Sequence, residues 1–243
     1  MHLSIIIPAY NEEKRLLKTL KEIDGYLRRQ NYDYEILVVN DGSKDKTVET
    51  GKSLIPLIKN LKITGYKKNQ GKGFAVRFGM LEAQGDYRLF SDADNSTSLD
   101  QIEKMWPYLE EGYDIVIGSR DIKGAVLDPP QPWIRNVIMG EGFKLYRKLI
   151  IGLWGIEDTQ CGFKCLSKRA AQDIFPKCLI SRFAFDPEIL VIAKKIGYKT
   201  KEVPVYWKND LESKVKVKSV INMALDLIKI RFNLIKGFYD KKG

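Results

Sequence analysis

The sequence contains a single histidine, His2, and few cysteines, so it lacks the side chains that build most zinc sites. The cysteines are odd in number and have no paired Cys-x-x-Cys spacing: Cys161, Cys165 and Cys178. We interpret them as reduced thiols of a cytosolic protein.

The longest lightly charged apolar run, Leu149–Ile156, is far shorter than the ~18 residues of a membrane-spanning helix. The apolar start Leu3–Ile7 is also too short for a signal peptide, and we predict none.

Acidic residues are outnumbered, because 41 lysines and arginines face 31 aspartates and glutamates and give a net charge of +10. This charge favours anionic partners such as nucleic acid, anionic lipid or phosphorylated substrates. No recognisable RNA- or DNA-binding motif is present, so we expect no nucleic-acid partner. The 243 residues, 44% of them hydrophobic, are enough for one large α/β domain.

Short β-branched runs alternate with amphipathic helical patterns in the first half of the chain. The predicted strands are Leu3–Ile7, Glu35–Val39, Leu61–Thr64, Tyr87–Phe90 and Ile115–Ile117. The predicted helices are Glu13–Arg29, Thr47–Ile58, Phe74–Ala83 and Leu99–Glu110. Ser98 and Gln101 predict a capping box at the start of the last helix. The alternation predicts an α/β fold with a mostly parallel sheet flanked by helices, whose ligands bind outside the carboxyl ends of the strands.

Asp92 and Asp94 form the only Asp-x-Asp in the chain and directly follow a predicted strand. Residues i and i+2 point the same way in extended backbone, so the two carboxylates can share one cation. Hard oxygen ligands favour Mg²⁺ or Mn²⁺, with substrate phosphates completing the coordination shell. An isolated Asp-x-Asp is more often a solvated turn or a helix cap. Its position beside three other polar strand ends favours the metal site here.

A glycine-rich loop, Gly71-Lys72-Gly73, opens the third predicted helix. Backbone N–H groups at such a helix start favour an anion, although many glycine-rich helix starts serve only tight packing. The loop lacks the complete P-loop pattern, which disfavours a P-loop nucleotide triphosphatase.

Four strand-end motifs in this order and spacing resemble those of family 2 glycosyltransferases with the GT-A fold. The motifs are Pro8-Ala-Tyr-Asn-Glu12, Asn40-Asp-Gly-Ser43, the Asn-Gln-Gly-Lys-Gly loop ending at Gly73, and Asp92-Ala-Asp94. The resemblance implies that the nucleotide base and ribose are surrounded by Pro8, Tyr10, Glu12 and Asp41. It also implies that Lys72 lies near the nucleotide and that Asp92 and Asp94 are the metal ligands.

The second half of the chain resembles polyprenyl-phosphate hexosyltransferases, most closely the dolichyl-phosphate β-glucosyltransferases and less closely the dolichyl-phosphate mannose synthases. The motifs that carry this resemblance are Gly118-Ser-Arg120, Trp133-Ile-Arg135, Asp158-Thr-Gln-Cys-Gly-Phe-Lys164, Arg182-Phe-Ala-Phe-Asp-Pro-Glu188, Val205-Tyr-Trp207 and Glu212-Ser-Lys214. Two departures stand out. Ser96 occupies a position where some mannose synthases have a glutamine metal ligand, and the membrane anchor that begins the eukaryotic glucosyltransferases is not found.

The main hypothesis is therefore inverting transfer of a hexose, glucose from UDP-glucose, to a polyprenyl phosphate. Such an acceptor is largely a dianion at neutral pH, since its second pKa is ~6, and it needs no strong base. Arg120 and Arg135 suit bidentate contact with that phosphate. If the acceptor were a glycan or small-molecule alcohol, a catalytic base would be required, and Asp158 and Asp186 are the candidates. A sugar-1-phosphate nucleotidyltransferase is disfavoured, because that class opens with a glycine-rich loop after its first strand.

The C-terminal segment Val217–Tyr239 repeats apolar residues at helical spacing among several lysines and arginines. It predicts a basic amphipathic helix in the membrane interface, and Phe143–Trp154 is a second candidate; the alternative is that both pack on the core. We therefore divide the chain into a glycosyltransferase domain, residues 1–210, and a C-terminal segment, residues 211–243. We expect a cytoplasmic protein bound peripherally to the cytoplasmic face of a membrane.

Overall fold

The structure, a computed structural model, describes residues 2–129, 141–208 and 217–240. Its nine strands in the described residues are β1 (His2–Ala9), β2 (Asp33–Asp41), β3 (Leu61–Tyr66), β4 (Tyr87–Ser91), β5 (Ile115–Ser119), β6 (Val126–Asp128), β7 (Phe163–Ser167), β8 (Thr200–Pro204) and β9 (Tyr206–Lys208). The α-helices of the same residues are α1 (Leu16–Leu27), α2 (Thr47–Leu54), α3 (Lys72–Glu82), α4 (Trp106–Glu110), α5 (Gly142–Ile151), α6 (Lys168–Ile174), α7 (Phe185–Ile196) and α8 (Val217–Ile235). The described residues also include two short 3-10 helices, Leu99–Lys104 and Phe175–Lys177.

Seven strands form the main sheet in the order β3-β2-β1-β4-β7-β5-β8, and β6 pairs with β9 in a separate parallel ribbon. Strands β1 to β4 pair in parallel, and β5 pairs in parallel with β8. Strand β7 runs antiparallel to both of its neighbours, β4 and β5. The predicted α/β fold with a mostly parallel sheet is confirmed, and all five predicted strands are present.

Strand β1 illustrates why the sheet is buried on both faces. Leu3, Ile5 and Ile7 join the core on one face of the sheet, and Ile6 joins the core on the other. A strand covered on both sides is expected to be apolar without alternation, as in the run Ile5–Ile7. Helices therefore flank both faces, and the polar residues that follow each strand are left at the sheet edge.

The predicted helix Leu99–Glu110 is wrong as a single α-helix, because the segment divides into a 3-10 helix and the short α4. Pro107 has no backbone N–H to continue the helical hydrogen bonds, which accounts for the break. The predicted capping box is also wrong. Ser98 makes no side-chain cap bond, and the side-chain oxygen of Gln101 instead accepts a hydrogen bond from the Tyr206 backbone N–H.

Helix α8 packs against α5, and part of its surface joins the main core. Its inner row contains Met223, Leu227 and Ile230, and Tyr239 beyond its end is fully buried. None of the helices in the described residues is both long enough and apolar enough to cross a bilayer. The predicted division at residue 210 falls within a stretch that lies outside the described residues.

Candidate active site at the carboxyl edge of the sheet

The first two strand-end loops bind each other. The backbone N–H of Asn11 donates to the Ser43 hydroxyl at 3.0 Å, and the backbone N–H of Glu12 donates to Thr47 Oγ1 at 2.8 Å. Asn11 has a φ of 55°, a left-handed conformation that asparagine tolerates better than most residues. These bonds hold the predicted nucleotide-binding loop at residues 8–12 in place beside β2.

The predicted nucleotide contacts in this loop have different surroundings. Tyr10 is exposed at the rim, with 40% of its surface accessible, whereas Pro8 is half-buried. The Glu12 carboxylate accepts a hydrogen bond from Arg15 Nε at 2.8 Å. Tyr10 is thus accessible to solvent, and the Arg15 contact orients Glu12. Contact of these residues with a nucleotide stays a prediction.

Asp41 holds the third loop in place. Its buried carboxylate accepts hydrogen bonds from Asn69 Nδ2 at 2.8 Å and from the backbone N–H groups of Gln70 and Gly71 at 2.7 and 2.9 Å. A Cβ on Gly42, whose φ is 68°, would fall 2.6 Å from the Asn69 backbone nitrogen. Asp41 therefore fixes the loop that leads into α3, and its contact with the nucleotide base stays a prediction.

Lys72 and Asp92, separated by 20 positions in sequence, form an ion pair with 2.5 Å between Lys72 Nζ and Asp92 Oδ1. Lys72 is the first residue of α3, and Asp92 directly follows β4. The Asp92 backbone N–H donates to the Gly162 carbonyl at 3.2 Å, where β7 begins beside β4. The structure thus unites the glycine-rich loop and the Asp-x-Asp motif in one cluster.

The backbone of the Asp-x-Asp loop is held from two sides. The Thr19 hydroxyl of α1 donates to the Ala93 carbonyl at 2.7 Å, and the backbone N–H of Lys208 in β9 donates to the Ser96 carbonyl at 2.7 Å. The Asp94 carboxylate accepts a hydrogen bond from the Ser96 backbone N–H at 3.0 Å. Ser96 is buried, and this bond orients the second aspartate.

The pKa values of Asp94 and Lys72 are shifted because several charged groups lie close together in this cluster. Burial, followed by the adjacent charge of Asp92, raises the pKa of Asp94. Burial alone would lower the pKa of Lys72, but the carboxylates of Asp92 and Asp186 outweigh burial and raise it. The raised pKa of Lys72 reflects the attraction between its ammonium group and the surrounding carboxylates.

The two carboxylates of Asp92 and Asp94 suit a hard divalent cation whose other ligands come from the substrate and from water. Asp92 and Asp94 offer carboxylate oxygens, which Mg²⁺ and Mn²⁺ prefer, and Asp92 already binds a cationic group. Over residues 2–129, 141–208 and 217–240, no group of three or more His, Cys, Asp or Glu side chains forms a complete metal cage. Two carboxylates with phosphate oxygens and water would complete such a shell.

Arg120 and Asp158 are joined by a bidentate ion pair. Arg120 Nε and Nη2 donate to the Asp158 carboxylate at 2.7 and 2.9 Å, and the Arg120 backbone N–H donates to it at 3.1 Å. Burial alone would raise the pKa of Asp158, but Arg120 outweighs it and holds that pKa well below its usual range. The guanidinium also lies 5.3 Å from the ring centroid of Trp207. Arg135, the second predicted phosphate ligand, lies outside the described residues.

Asp186 is paired with a buried lysine, Lys164, which belongs to a quoted motif but was assigned no role from the sequence. Lys164 Nζ lies 2.5 Å from Asp186 Oδ1, and the Lys164 side chain is fully buried. Burial raises the pKa of Asp186, and the charges of Lys164 and Lys72 offset that effect in part. A charged residue at the second position of the buried strand Phe163–Ser167, between Phe163 and Cys165, was the available signal for Lys164.

Gly162 is a second residue of the same motif, residues 158–164, to which the sequence assigned no role. A Cβ added there would fall 2.1 Å from Asp92 Oδ2, so only glycine allows the carboxylate to lie against this backbone. The glycine precedes β7, which was not among the predicted strands. A close approach of this kind depends on the pairing of β4 with β7 and leaves no local pattern in the sequence.

The fold and the strand-end cluster define a class of protein, the GT-A glycosyltransferases. Mannosyl-3-phosphoglycerate synthase from Rubrobacter xylanophilus superposes with a TM-score of 0.71 at 18% identity, over 99% of this chain and 77% of that chain. Glucosyl-3-phosphoglycerate synthase from Mycobacterium tuberculosis, solved in complex with Mn²⁺, UDP and glucosyl-3-phosphoglycerate, superposes with a TM-score of 0.66 at 16% identity, over 94% of this chain and 77% of that chain. The GT-A expectation is confirmed.

Sequence similarity identifies the family within this class. Residues 4–175 match the glycosyl transferase family 2 domain. A dolichyl-phosphate beta-glucosyltransferase of Trichomonas vaginalis is 37% identical, over 100% of this chain and 74% of that protein. The Homo sapiens dolichyl-phosphate beta-glucosyltransferase is 34% identical, over 97% of this chain and 76% of that protein. The chain belongs to glycosyltransferase family 2, and it is a hexosyltransferase.

Proposed function

We propose that this enzyme transfers glucose from UDP-glucose to a polyprenyl phosphate of the dolichyl phosphate type, with inversion at the anomeric carbon. The observation that carries the proposal is the cluster of Lys72, Asp92 and Asp94 at the carboxyl edge of the sheet. Similarity to dolichyl-phosphate beta-glucosyltransferases over nearly the whole chain supports the sugar and the acceptor. The structural neighbour with bound Mn²⁺ and UDP supports the nucleotide and the metal.

The donor diphosphate is a centre of negative charge that the site must bind and stabilise as it leaves. A Mg²⁺ or Mn²⁺ ion held by Asp92 and Asp94 would offset that charge. Lys72 supplies a second cation, since its ammonium group lies beside Asp92 at the start of α3. Pro8, Tyr10, Glu12 and Asp41 are proposed to surround the base and ribose.

The ion pairs formed by the two candidate bases, Asp158 and Asp186, favour a phosphate acceptor over an alcohol. Asp158 is a weak base, because Arg120 holds its pKa well below the usual range. Asp186 is committed to a buried ion pair with Lys164. A phosphate dianion attacks the anomeric carbon without a strong base, and Arg120 carries five N–H donors, more than Asp158 uses. Arg135 is proposed as the second phosphate ligand.

Transfer of labelled glucose tests both substrates. Incubation of the full-length enzyme with UDP-[¹⁴C]glucose, Mn²⁺ and polyprenyl phosphate is expected to yield a labelled product that extracts into organic solvent. Mild acid should release glucose from that product, because a glycosyl phosphate is acid-labile. The control reaction contains the matching polyprenol, which lacks the phosphate. Equal label in both reactions, or label only on a soluble acceptor, would contradict the proposed acceptor.

We also propose that the enzyme binds the cytoplasmic face of a membrane through the outer surface of α8. This surface presents a row of apolar side chains that are 49% to 71% exposed: Ile221, Leu225, Ile228, Phe232 and Ile235. Exposed Lys229, Arg231 and Lys236 accompany the row. An apolar row bordered by positive charge suits the interface of an anionic bilayer, where a lipid-linked acceptor resides.

A further inference from the structure

The Lys72–Asp92 ion pair engages the carboxylate that is proposed to bind the metal. Lys72 Nζ lies 2.5 Å from Asp92 Oδ1, and the two side chains retain 22% and 32% of their accessible surface. The pair is therefore accessible from solvent and can exchange partners. A divalent cation that approaches Asp92 must displace the lysine ammonium or share the carboxylate with it.

The backbone around Asp92 limits how the carboxylate can be shared. A Cβ on Gly162 would lie 2.1 Å from Asp92 Oδ2 and 2.6 Å from Oδ1, so the carboxylate rests directly against the Gly162 backbone. One side of the group is closed by β7, and Lys72 is bound to Oδ1. Lysine and metal consequently compete for the accessible part of the same group.

The position of Lys72 is fixed at its backbone. A Cβ on Gly71 would fall 2.4 Å from the Ser181 carbonyl oxygen, and a Cβ on Gly73 would fall 2.7 Å from Phe185 Cβ. The loop on each side of Lys72 is thus packed too tightly to move far. Only the flexible lysine side chain can change its partner, and the phosphates of a bound donor offer the other strong acceptor.

We propose that Lys72 is a resident cation that exchanges partners when the donor binds. It neutralises Asp92 in the empty site and turns to the donor diphosphate when the metal occupies Asp92 and Asp94. The inference rests on the proposed function, which assigns the metal to those two aspartates. Bare metal then binds weakly and enters most readily together with the nucleotide, so the site does not retain a cation between turnovers.

Mn²⁺ binding to the full-length protein without nucleotide tests this exchange. Electron paramagnetic resonance of free Mn²⁺ would be compared in the wild type, Lys72→Met and Lys72→Gln. Loss of the competing ammonium should tighten binding of Mn²⁺ alone by about tenfold, an effect between those of a close charge pair in bulk water and of one near a protein surface. The same variants should bind UDP about tenfold more weakly at saturating Mn²⁺, because the diphosphate loses a charge-assisted contact.

Two controls separate this inference from the metal site itself. Lys68→Met removes one positive charge from an exposed position four residues away and should leave both affinities unchanged. Asp92→Asn should weaken Mn²⁺ binding. If both Lys72 variants bind Mn²⁺ alone no tighter than the wild type while Asp92→Asn binds it more weakly, the metal site stands and the exchange proposal is wrong. If Asp92→Asn binds Mn²⁺ as the wild type does, the proposed metal site is wrong.

Discussion

Three aspartates of the candidate site each bind a cationic side chain, and each pair joins segments that are distant in sequence. The pairs are Lys72 with Asp92, Arg120 with Asp158, and Lys164 with Asp186. Lys164 and Asp186 are the most deeply buried of these, with 0% and 3% of their side-chain surface exposed. Removal of one partner from such a pair leaves the other charge buried without compensation.

Lys164→Met should therefore destabilise the protein by about 3–5 kcal/mol, the usual cost of leaving one charge of a buried pair uncompensated. The double variant Lys164→Met/Asp186→Leu should recover at least half of that loss, since it removes both charges. The free energy of unfolding from urea denaturation measures both effects. Lys168→Met, at an exposed position four residues away, is the matched control. Equal stability of the Lys164 and Lys168 variants would show that the buried pair has no such role.

The sequence identified the charged side chains that meet at the sheet edge better than it identified their contacts. Asp92, Asp94 and Lys72 could be identified because polar residues after parallel strands converge at one edge of the sheet. The Asp41 contact with the loop at residues 69–71 could not, because it depends on the conformation of two loops 28 to 30 positions apart. Lys164 was missed because its partner, Asp186, belongs to α7, which local periodicity did not predict.

Helix α8 carries apolar side chains on two of its faces. Met223, Leu227 and Ile230 pack into the core, whereas a second row, from Ile221 to Ile235, remains exposed. A helix that only packed on the protein would expose polar side chains on its outer surface. The sequence allowed two interpretations of this segment, packing on the core and binding at a membrane interface. Each of them describes a different face of the same helix, and membrane binding stays a proposal.

Vesicle binding tests the outer row of α8. Ile228→Asp/Phe232→Asp should weaken binding to vesicles of phosphatidylcholine and phosphatidylglycerol by about tenfold or more, because each apolar side chain contributes about 1.5–3 kcal/mol when buried. Sedimentation with vesicles measures the bound fraction. Wild-type binding should also decrease as the salt concentration rises, since anionic lipid attracts the basic residues.

The matched control is Ile55→Asp/Leu57→Asp, which places two aspartates at exposed apolar positions after α2. That variant should bind vesicles as the wild type does. Equal binding by the α8 variant and the wild type would exclude this face as the membrane contact.

The order of elements was predictable where the pattern is local. Strands β1 to β5 and helices α1 to α3 follow from apolar periodicity, with ends that differ by a few residues. Strand β7 was not predicted, and its antiparallel insertion between β4 and β5 depends on contacts between distant segments. The division of Leu99–Glu110 could have been predicted from Pro107, which cannot continue an α-helix.

At the scale of the whole molecule, the chain combines a donor site at the sheet edge with a basic, partly apolar outer helix. The net charge of +10 suits both a diphosphate donor and an anionic membrane surface. The acidic residues of the site lie at the strand ends, in the adjoining loops and on α7, whereas α8 carries exposed lysines and an arginine. Both features agree with the proposed transfer of glucose from a soluble nucleotide sugar to a lipid-bound acceptor.

Glucosyl transfer by Asp94→Asn, measured as organic-extractable label from UDP-[¹⁴C]glucose and polyprenyl phosphate, tests the central claim most directly. This substitution retains the side-chain shape and removes a proposed metal ligand. The rate should fall by about a hundredfold or more, because charge stabilisation by a bound metal contributes several kcal/mol. Asp33→Asn, at an exposed position at the start of β2, should transfer glucose at the wild-type rate. Wild-type transfer by Asp94→Asn would contradict the account of the site.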